Sequence, residues 1–112
     1  MATILITGAT SGIGEALAKR CVNDGHKVIA CGRNEEKLAE LAKIENMTTC
    51  RFDVTDEVAT KEALAHVKCD IAVLNAGTCE YVDINNVEPD MFKRVFDANV
   101  FGVVNVVSAL IP

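Results

Sequence analysis

Three glycines, at positions 8, 12 and 14, stand with Thr10 and Ser11 between an apolar run and a helical pattern. A strand that turns on glycine into a helix brings the helix's unpaired first N–H groups and the positive end of its dipole to one point. Such a point suits a pyrophosphate, and side chains there would stand in the way. Gly8 allows a sharp exit from the strand, Gly12 lets backbone approach a ligand, and Gly14 permits close packing of helix on strand. Thr10 and Ser11 can add hydroxyls. His26 and His66 are isolated, and no serine–histidine–aspartate set forms around either. Five cysteines, at 21, 31, 50, 69 and 79, make an odd number without a C-x-x-C pair, so they read as reduced, mostly packed thiols and not as a disulfide framework or zinc site.

The elements that must hold these residues follow from hydrophobic spacing. TILIT, residues 3 to 7, is apolar and β-branched without polar alternation, as a strand buried on both faces should be. Ile13, Ala16, Leu17, Ala18, Cys21 and Val22 then recur at helical spacing until Asp24-Gly25 closes the helix. KVIAC, from Lys27 to Cys31, predicts a second strand, and Asn34 caps a helix running through Leu38, Leu41 and Ile44 with Glu35 and Glu36 at its positive end. A third strand is expected over Met47 to Phe52, a third helix from Thr55 to about Val67, and a fourth strand over Ile71 to Asn75. Glu88-Pro89-Asp90 begins one long helix towards Pro112. Strand and helix alternate four times, which predicts an α/β fold with a parallel sheet covered by helices on both faces.

Composition narrows the partners. With 112 residues, half of them hydrophobic and 24% charged, the chain has the size and make-up of one modest soluble domain. A net charge of −5 opposes a sequence-independent grip on nucleic acid or an anionic membrane. The longest uncharged stretch, from Ala98 to Pro112, is broken by Asn99, Gly102, Asn105 and Ser108 and is short for a membrane span. Met1 leads straight into an apolar strand with no signal-peptide pattern, so a cytoplasmic location is expected.

The spacing G-x-x-x-G-x-G within TGATSGIG differs from the general G-x-G-x-x-G fingerprint. It resembles the short-chain dehydrogenase/reductase family. So do FDV after the third strand, NAG at 75 to 77 and NVFG at 99 to 102, in that family's order across essentially the whole chain. The resemblance implies a Rossmann-like doubly wound sheet of order 3-2-1-4 and a nicotinamide-dependent oxidoreductase acting on a small carbonyl or alcohol. Gly8, Ser11, Gly12, Ile13 and Gly14 would line the pyrophosphate. Asp53 and Val54 would border the adenine, and Asn75, Ala76 and Gly77 would lie beside the adenosine ribose. Asp53 has a second reading as a helix cap, and Asn75 as a brace on neighbouring backbone. The segment after the second strand reads Cys31-Gly32-Arg33-Asn34, without the carboxylate that holds a ribose 2′-hydroxyl. Arg33 offers a planar donor fork to a 2′-phosphate, which favours NADP over NAD, or else it pairs with Glu35 or Glu36.

Asn99 matches the family's helix asparagine, which supports a water relay; bending the helix or bonding backbone is its other reading. The family's tyrosine and lysine, four residues apart, have no counterpart. The sole tyrosine is Tyr81, followed four residues on by Asn85. The expectation is a single dinucleotide-binding domain over residues 1 to 112, incomplete at its C-terminal end and inactive alone. Val100, Phe101, Val103, Val104, Val106, Val107, Leu110 and Ile111 would leave an apolar face on the last helix, a candidate surface for homo-oligomer formation. A non-catalytic NADP-binding module is the alternative.

Overall fold

A computed structural model describes residues 1–111. Four parallel strands alternate with helices: β1 (Thr3–Ile6), α1 (Gly12–Asn23), β2 (Lys27–Gly32), α2 (Glu35–Leu41), β3 (Met47–Arg51), α3 (Glu57–Leu64) and β4 (Ile71–Val73). A short 3-10 turn, Ile84–Asn86, precedes α4 (Pro89–Phe96), a π-helical turn (Asp97–Phe101) and α5 (Gly102–Leu110). The sheet order is β3-β2-β1-β4, as the motifs imply. Ile4, Leu5 and Ile6 pair with Val28, Ile29 and Ala30 on one side and with Ile71, Ala72 and Val73 on the other.

The pleat sorts the apolar residues to two cores. Ile4, Ile6, Val28, Ala30 and Met47 face α1 and α2, where Ala18 and Leu41 meet them. Leu5 and Cys31 face the other way, onto Phe52, Leu64 of α3 and Val106 of α5. β1 is therefore buried on both faces, which is why its sequence carries no polar alternation. Helix starts follow the expected chemistry at Asn34, whose Oδ1 accepts from the Lys37 N–H at 3.0 Å, and at Asp56, which accepts from the Ala59 N–H at 3.0 Å. The His26 ring and the Asp70 carboxylate are structural: they accept the Ala2 and Thr3 N–H groups at the start of β1.

Several expectations shift. β1 ends at Ile6 and β4 at Val73, because Thr7 and Asn75 turn to side-chain bonding beyond the ladder. α3 is shorter than the predicted Thr55 to Val67, since Asp53 and Thr55 form a turn before Asp56 can cap it. Ile13 and Ala16 do not join the packed stripe of α1; both are exposed, Ile13 at 79%. The predicted single last helix is interrupted by the π-helical turn at Asp97–Phe101; Pro112 lies outside the described residues. On that helix Val106 is buried, but Val100, Phe101, Val104, Val107 and Ile111 are exposed. No helix among the described residues is long and apolar enough to cross a membrane.

α1 docks on the sheet through Gly14. A Cβ there would run into the Gly8 carbonyl and come within 2.6 Å of Asn75 Nδ2. Gly14→Ala should lower the urea unfolding free energy by about 2 kcal/mol or more, the scale of overpacking. Ala16→Gly on the exposed side of the same helix should cost about 1 kcal/mol. Equal losses would show that the close approach is not what Gly14 provides.

The loop between β4 and α4 is tied down by Arg94, whose Nε and Nη2 donate to both carboxylate oxygens of Glu80 at 2.9 and 2.8 Å. That guanidinium holds the Glu80 carboxyl below the ordinary carboxylate range. A group depressed in the folded state contributes its stabilisation above its unfolded pKa and loses it as the pH falls through the folded value. Amide exchange in the loop, measured across a pH series and corrected for intrinsic rates, should therefore show protection at neutral pH that fades below the usual glutamate value of 4.5. Glu80→Gln should lose the protection already at neutral pH and flatten the series.

Candidate functional site

The carboxyl ends of the strands open into a cleft of about 410 Å³. It lies where α1 leaves β1 towards one face while the chain after β4 runs to the other, the switch point at which open α/β sheets accommodate ligands. Its walls are the glycine turn, the ends of β2 and β3, the NAG segment with the loop after it, and the end of α4 with the start of the π-helical turn.

The glycine turn forms one wall. Gly8 and Gly12 have φ of +64° and +56°, values that L side chains rarely adopt. A Cβ on Gly8 would also sit 2.9 Å from the Ala76 Cα. The turn is held from beneath by three bonds across the sheet: Thr7 N–H to the Val73 carbonyl at 3.0 Å, Ala76 N–H to the Thr7 hydroxyl at 3.0 Å, and Asn75 Nδ2 to the Gly8 carbonyl at 3.2 Å. Ser11 occupies the N-cap of α1 without making a side-chain cap bond, so its hydroxyl is not spent on the helix. The first N–H groups of α1 lack intrahelical acceptors by geometry.

Beside the turn, at the end of β2, Gly32 packs against the Thr10 methyl, which would lie 2.5 Å from a Cβ there. Arg33 follows at the mouth, its side chain largely exposed, with Nη1 3.7 Å from Asp53 Oδ2. Its partner is thus Asp53, and not Glu35, which pairs with Arg51 instead. Asp53 Oδ1 accepts from the Thr55 N–H at 2.9 Å and from the Thr55 hydroxyl at 2.8 Å. Partial burial pushes the Asp53 carboxyl up, but the two Thr55 bonds and the Arg33 charge outweigh it and leave the pKa lowered. The helix cap is Asp56, one of the two roles open to Asp53 in the sequence.

The last helix fixes the third wall. Asn105 Nδ2 donates to the Val54 carbonyl at 2.8 Å, and the Val54 side chain nests on Gly102, where a Cβ would meet it at 2.7 Å. Asn99 in the π-helical turn grips the NAG segment: its Oδ1 accepts from the Thr78 N–H at 2.7 Å and its Nδ2 donates to the Thr78 carbonyl at 2.8 Å. Gly77 is required by that approach, since its Cβ would stand 2.8 Å from Asn99 Oδ1.

Of the residues singled out in the sequence, Gly8, Thr10, Ser11, Arg33, Asp53, Val54, Ala76 and Gly77 line the cleft. Gly12 and Ile13 continue from it into the exposed first turn of α1, while Gly14, Asn75 and Asn99 stand behind the walls as braces. Thr78, Glu80, Arg94, Asp97 and Ala98 also line it and were not foreseen. They come from a loop and a helix brought together by the fold; only the adjacency of Asp97 and Ala98 to Asn99 could have signalled them.

The family model for short chain dehydrogenase matches residues 2–112. Serine 3-dehydrogenase of Rhizobium radiobacter is 42% identical over 98% of this chain and 47% of its own length. The NADP-dependent 3-hydroxy acid dehydrogenase of Escherichia coli is 34% identical over 97% of this chain and 47% of its own. A solved closed form of serine dehydrogenase complexed with NADP+ superposes with a TM-score of 0.87 at 34% identity, over 98% of this chain and 48% of that one. The chain thus spans about half the length of these relatives. Matched by the family model over nearly its whole length, the chain belongs to the short-chain dehydrogenase family.

Proposed function

We propose that this chain is the NADP-binding half of an oxidoreductase acting on a small carbonyl or alcohol. One observation carries the reading: a glycine turn with unspent donors and, beside it at the end of β2, an arginine with no carboxylate in that segment line the same cleft. The fit is steric as well as electrostatic. Nothing lies within 4 Å of where a Gly12 Cβ would be, so the turn faces open space into which a diphosphate can settle. Bound there, NADP would supply or accept the hydride. Gly8, Ser11, Gly12, Ile13 and Gly14 are assigned to the pyrophosphate, Gly14 by letting the helix N-terminus close in. Asp53 and Val54 are assigned to the adenine edge, and Asn75, Ala76 and Gly77 to the ribose wall.

Arg33 is the specificity residue of this reading. Its long, exposed pairing with Asp53 is weak and leaves the guanidinium able to take a phosphate. Asn99, with both ends of its amide committed to Thr78, is assigned as a positioning residue for the reacting end of the cleft. Proton transfer falls to a tyrosine–lysine pair that these 112 residues do not contain, so this length alone should bind cofactor without turnover. The names of the relatives, which act on 3-hydroxy acids and serine, support a small polar substrate. The cytoplasm is the proposed location, and the exposed apolar side of α4 and α5 is the proposed contact with a second copy.

Titration with NADPH and NADH, followed by the quenching or shift of nicotinamide fluorescence, tests the assignment. Arg33→Asp should weaken NADPH by about 10- to 100-fold, the range of one or two charge-assisted hydrogen bonds. NADH should change by less than about threefold. Equal losses would remove Arg33 as the phosphate reader, and failure of the unsubstituted protein to retain either nucleotide would overturn the oxidoreductase reading.

A further inference from the structure

Beneath the nucleotide cleft, Cys31 and Cys50 are in-register partners on the adjacent parallel strands β2 and β3. Both side chains fall on the same face of the sheet, in the core that includes Leu5, Phe52 and Leu64. Cys31 is fully buried and lines the cleft, whereas Cys50 is half-buried. Neighbouring strands in a sheet lie about 4.7–4.9 Å apart, and disulfides bridge Cα atoms about 4.4–6.8 Å apart, so two cysteines paired in this way are within bridging range once their Cβ atoms are drawn together. Among the described residues no group of three or more His, Cys, Asp or Glu could hold a metal ion. We propose that Cys31 and Cys50 form a redox-active dithiol whose oxidation to a disulfide weakens dinucleotide retention in the cleft above them.

The chemistry needs an oxidant, for which a low-molecular-weight disulfide such as oxidised glutathione serves. The Cys50 thiolate attacks one sulfur of that disulfide, forming a mixed disulfide and releasing one glutathione thiolate. The released glutathione thiolate takes the Cys31 proton, and the Cys31 sulfur attacks the Cys50 sulfur, expelling the second glutathione as its thiolate. Two protein thiols are oxidised and one small disulfide is reduced to two thiols. The division of labour follows from position. Contact with the neighbouring Cys50 thiol and deep burial both push the Cys31 thiol up, and the Cys31 thiol beside Cys50 lowers the latter, so the half-exposed sulfur ionises first.

The coupling to the cleft is carried by backbone. The Cys31 carbonyl accepts the Ala9 N–H of the glycine turn at 3.0 Å, and the Gly32 carbonyl accepts the Phe52 N–H at 3.1 Å. Arg33 lies two residues beyond Cys31, and Asp53 three beyond Cys50. A bond of about 2.05 Å draws the two Cβ atoms towards about 3.8 Å, and the strand ends bearing Arg33 and Asp53 must move with them. This second half of the inference rests on the cofactor reading above, whereas the bond itself does not.

The test equilibrates the protein in mixtures of reduced and oxidised glutathione, alkylates the remaining thiols, and maps the peptides by mass. A peptide pair linked through Cys31 and Cys50, absent in Cys50→Ser and present in Cys69→Ser, is the expected result. NADPH affinity should fall at least threefold in the oxidised protein, recover with dithiothreitol, and be indifferent to oxidant in Cys50→Ser. Full alkylation of both thiols under the most oxidising mixture, a link through Cys69 instead, or a lasting glutathione adduct on Cys50 would overturn the dithiol. A Cys31–Cys50 link that leaves NADPH affinity unchanged would overturn its effect on the cleft. Loss of NADPH binding in the reduced protein would count against the cofactor reading, while the peptide map would still decide the bond.

Discussion

Gly14 brings the first turn of α1 against the Gly8 carbonyl, an approach that admits no side chain. The wall of the cleft depends on this contact. It directs the positive end of the helix towards the strand ends, and it leaves room for the Asn75 amide to donate to the Gly8 carbonyl. The neighbouring bonds from Thr7 to Val73 and Ala76 keep the β4 end level with the β1 end. Without that levelling, the NAG segment would not face the turn, and Asn99 would have no Thr78 to grip.

The second constraint is the two-sided burial of β1. Because Leu5 points to one core and Ile4 and Ile6 to the other, helices must cover both faces. The chain changes face between β3 and β4, and the crevice opens beside that change. The charges around it are few and spread along its length: Arg33 against Asp53 at one end, Arg94 against Glu80 at the other. The Arg33 pair is long and largely exposed and contributes little to stability, which leaves its guanidinium available for rearrangement, whereas the bidentate Arg94–Glu80 pair holds its loop.

Strand order, the two faces and most of the cleft were legible in the sequence because they follow from short-range pattern. A continuous apolar run makes a central strand, and a glycine turn before a helix makes the bend that walls the cleft. The NAG and NVFG segments were legible as motifs, but the reason for their residues was not. That Gly77 makes room for Asn99, Gly102 for Val54 and Gly32 for Thr10 depends on contacts between distant parts of the chain. The π-helical turn was equally hidden, since Asp97–Phe101 keeps an unbroken helical spacing of apolar residues. Asn99 was read as a polar residue in need of partners, and the structure supplies them: two backbone groups of one residue, Thr78. Glu80 and Arg94 lie 14 positions apart, and no periodicity announces them.

The bonds that shape the glycine turn span long distances along the chain. Asp70 meets Thr3 and Asn75 meets Gly8 across 67 positions, and Ala76 meets Thr7 across 69. Contacts of this kind are slow to form, because the entropy of closing a large loop is lost before any of them can repay it. A polypeptide leaving the ribosome N-terminus first makes residues 7 to 14 early, yet they have nothing to lean on until the fourth strand has emerged. The bend that would hold the anion is translated well before β4 and takes shape only once β4 has emerged.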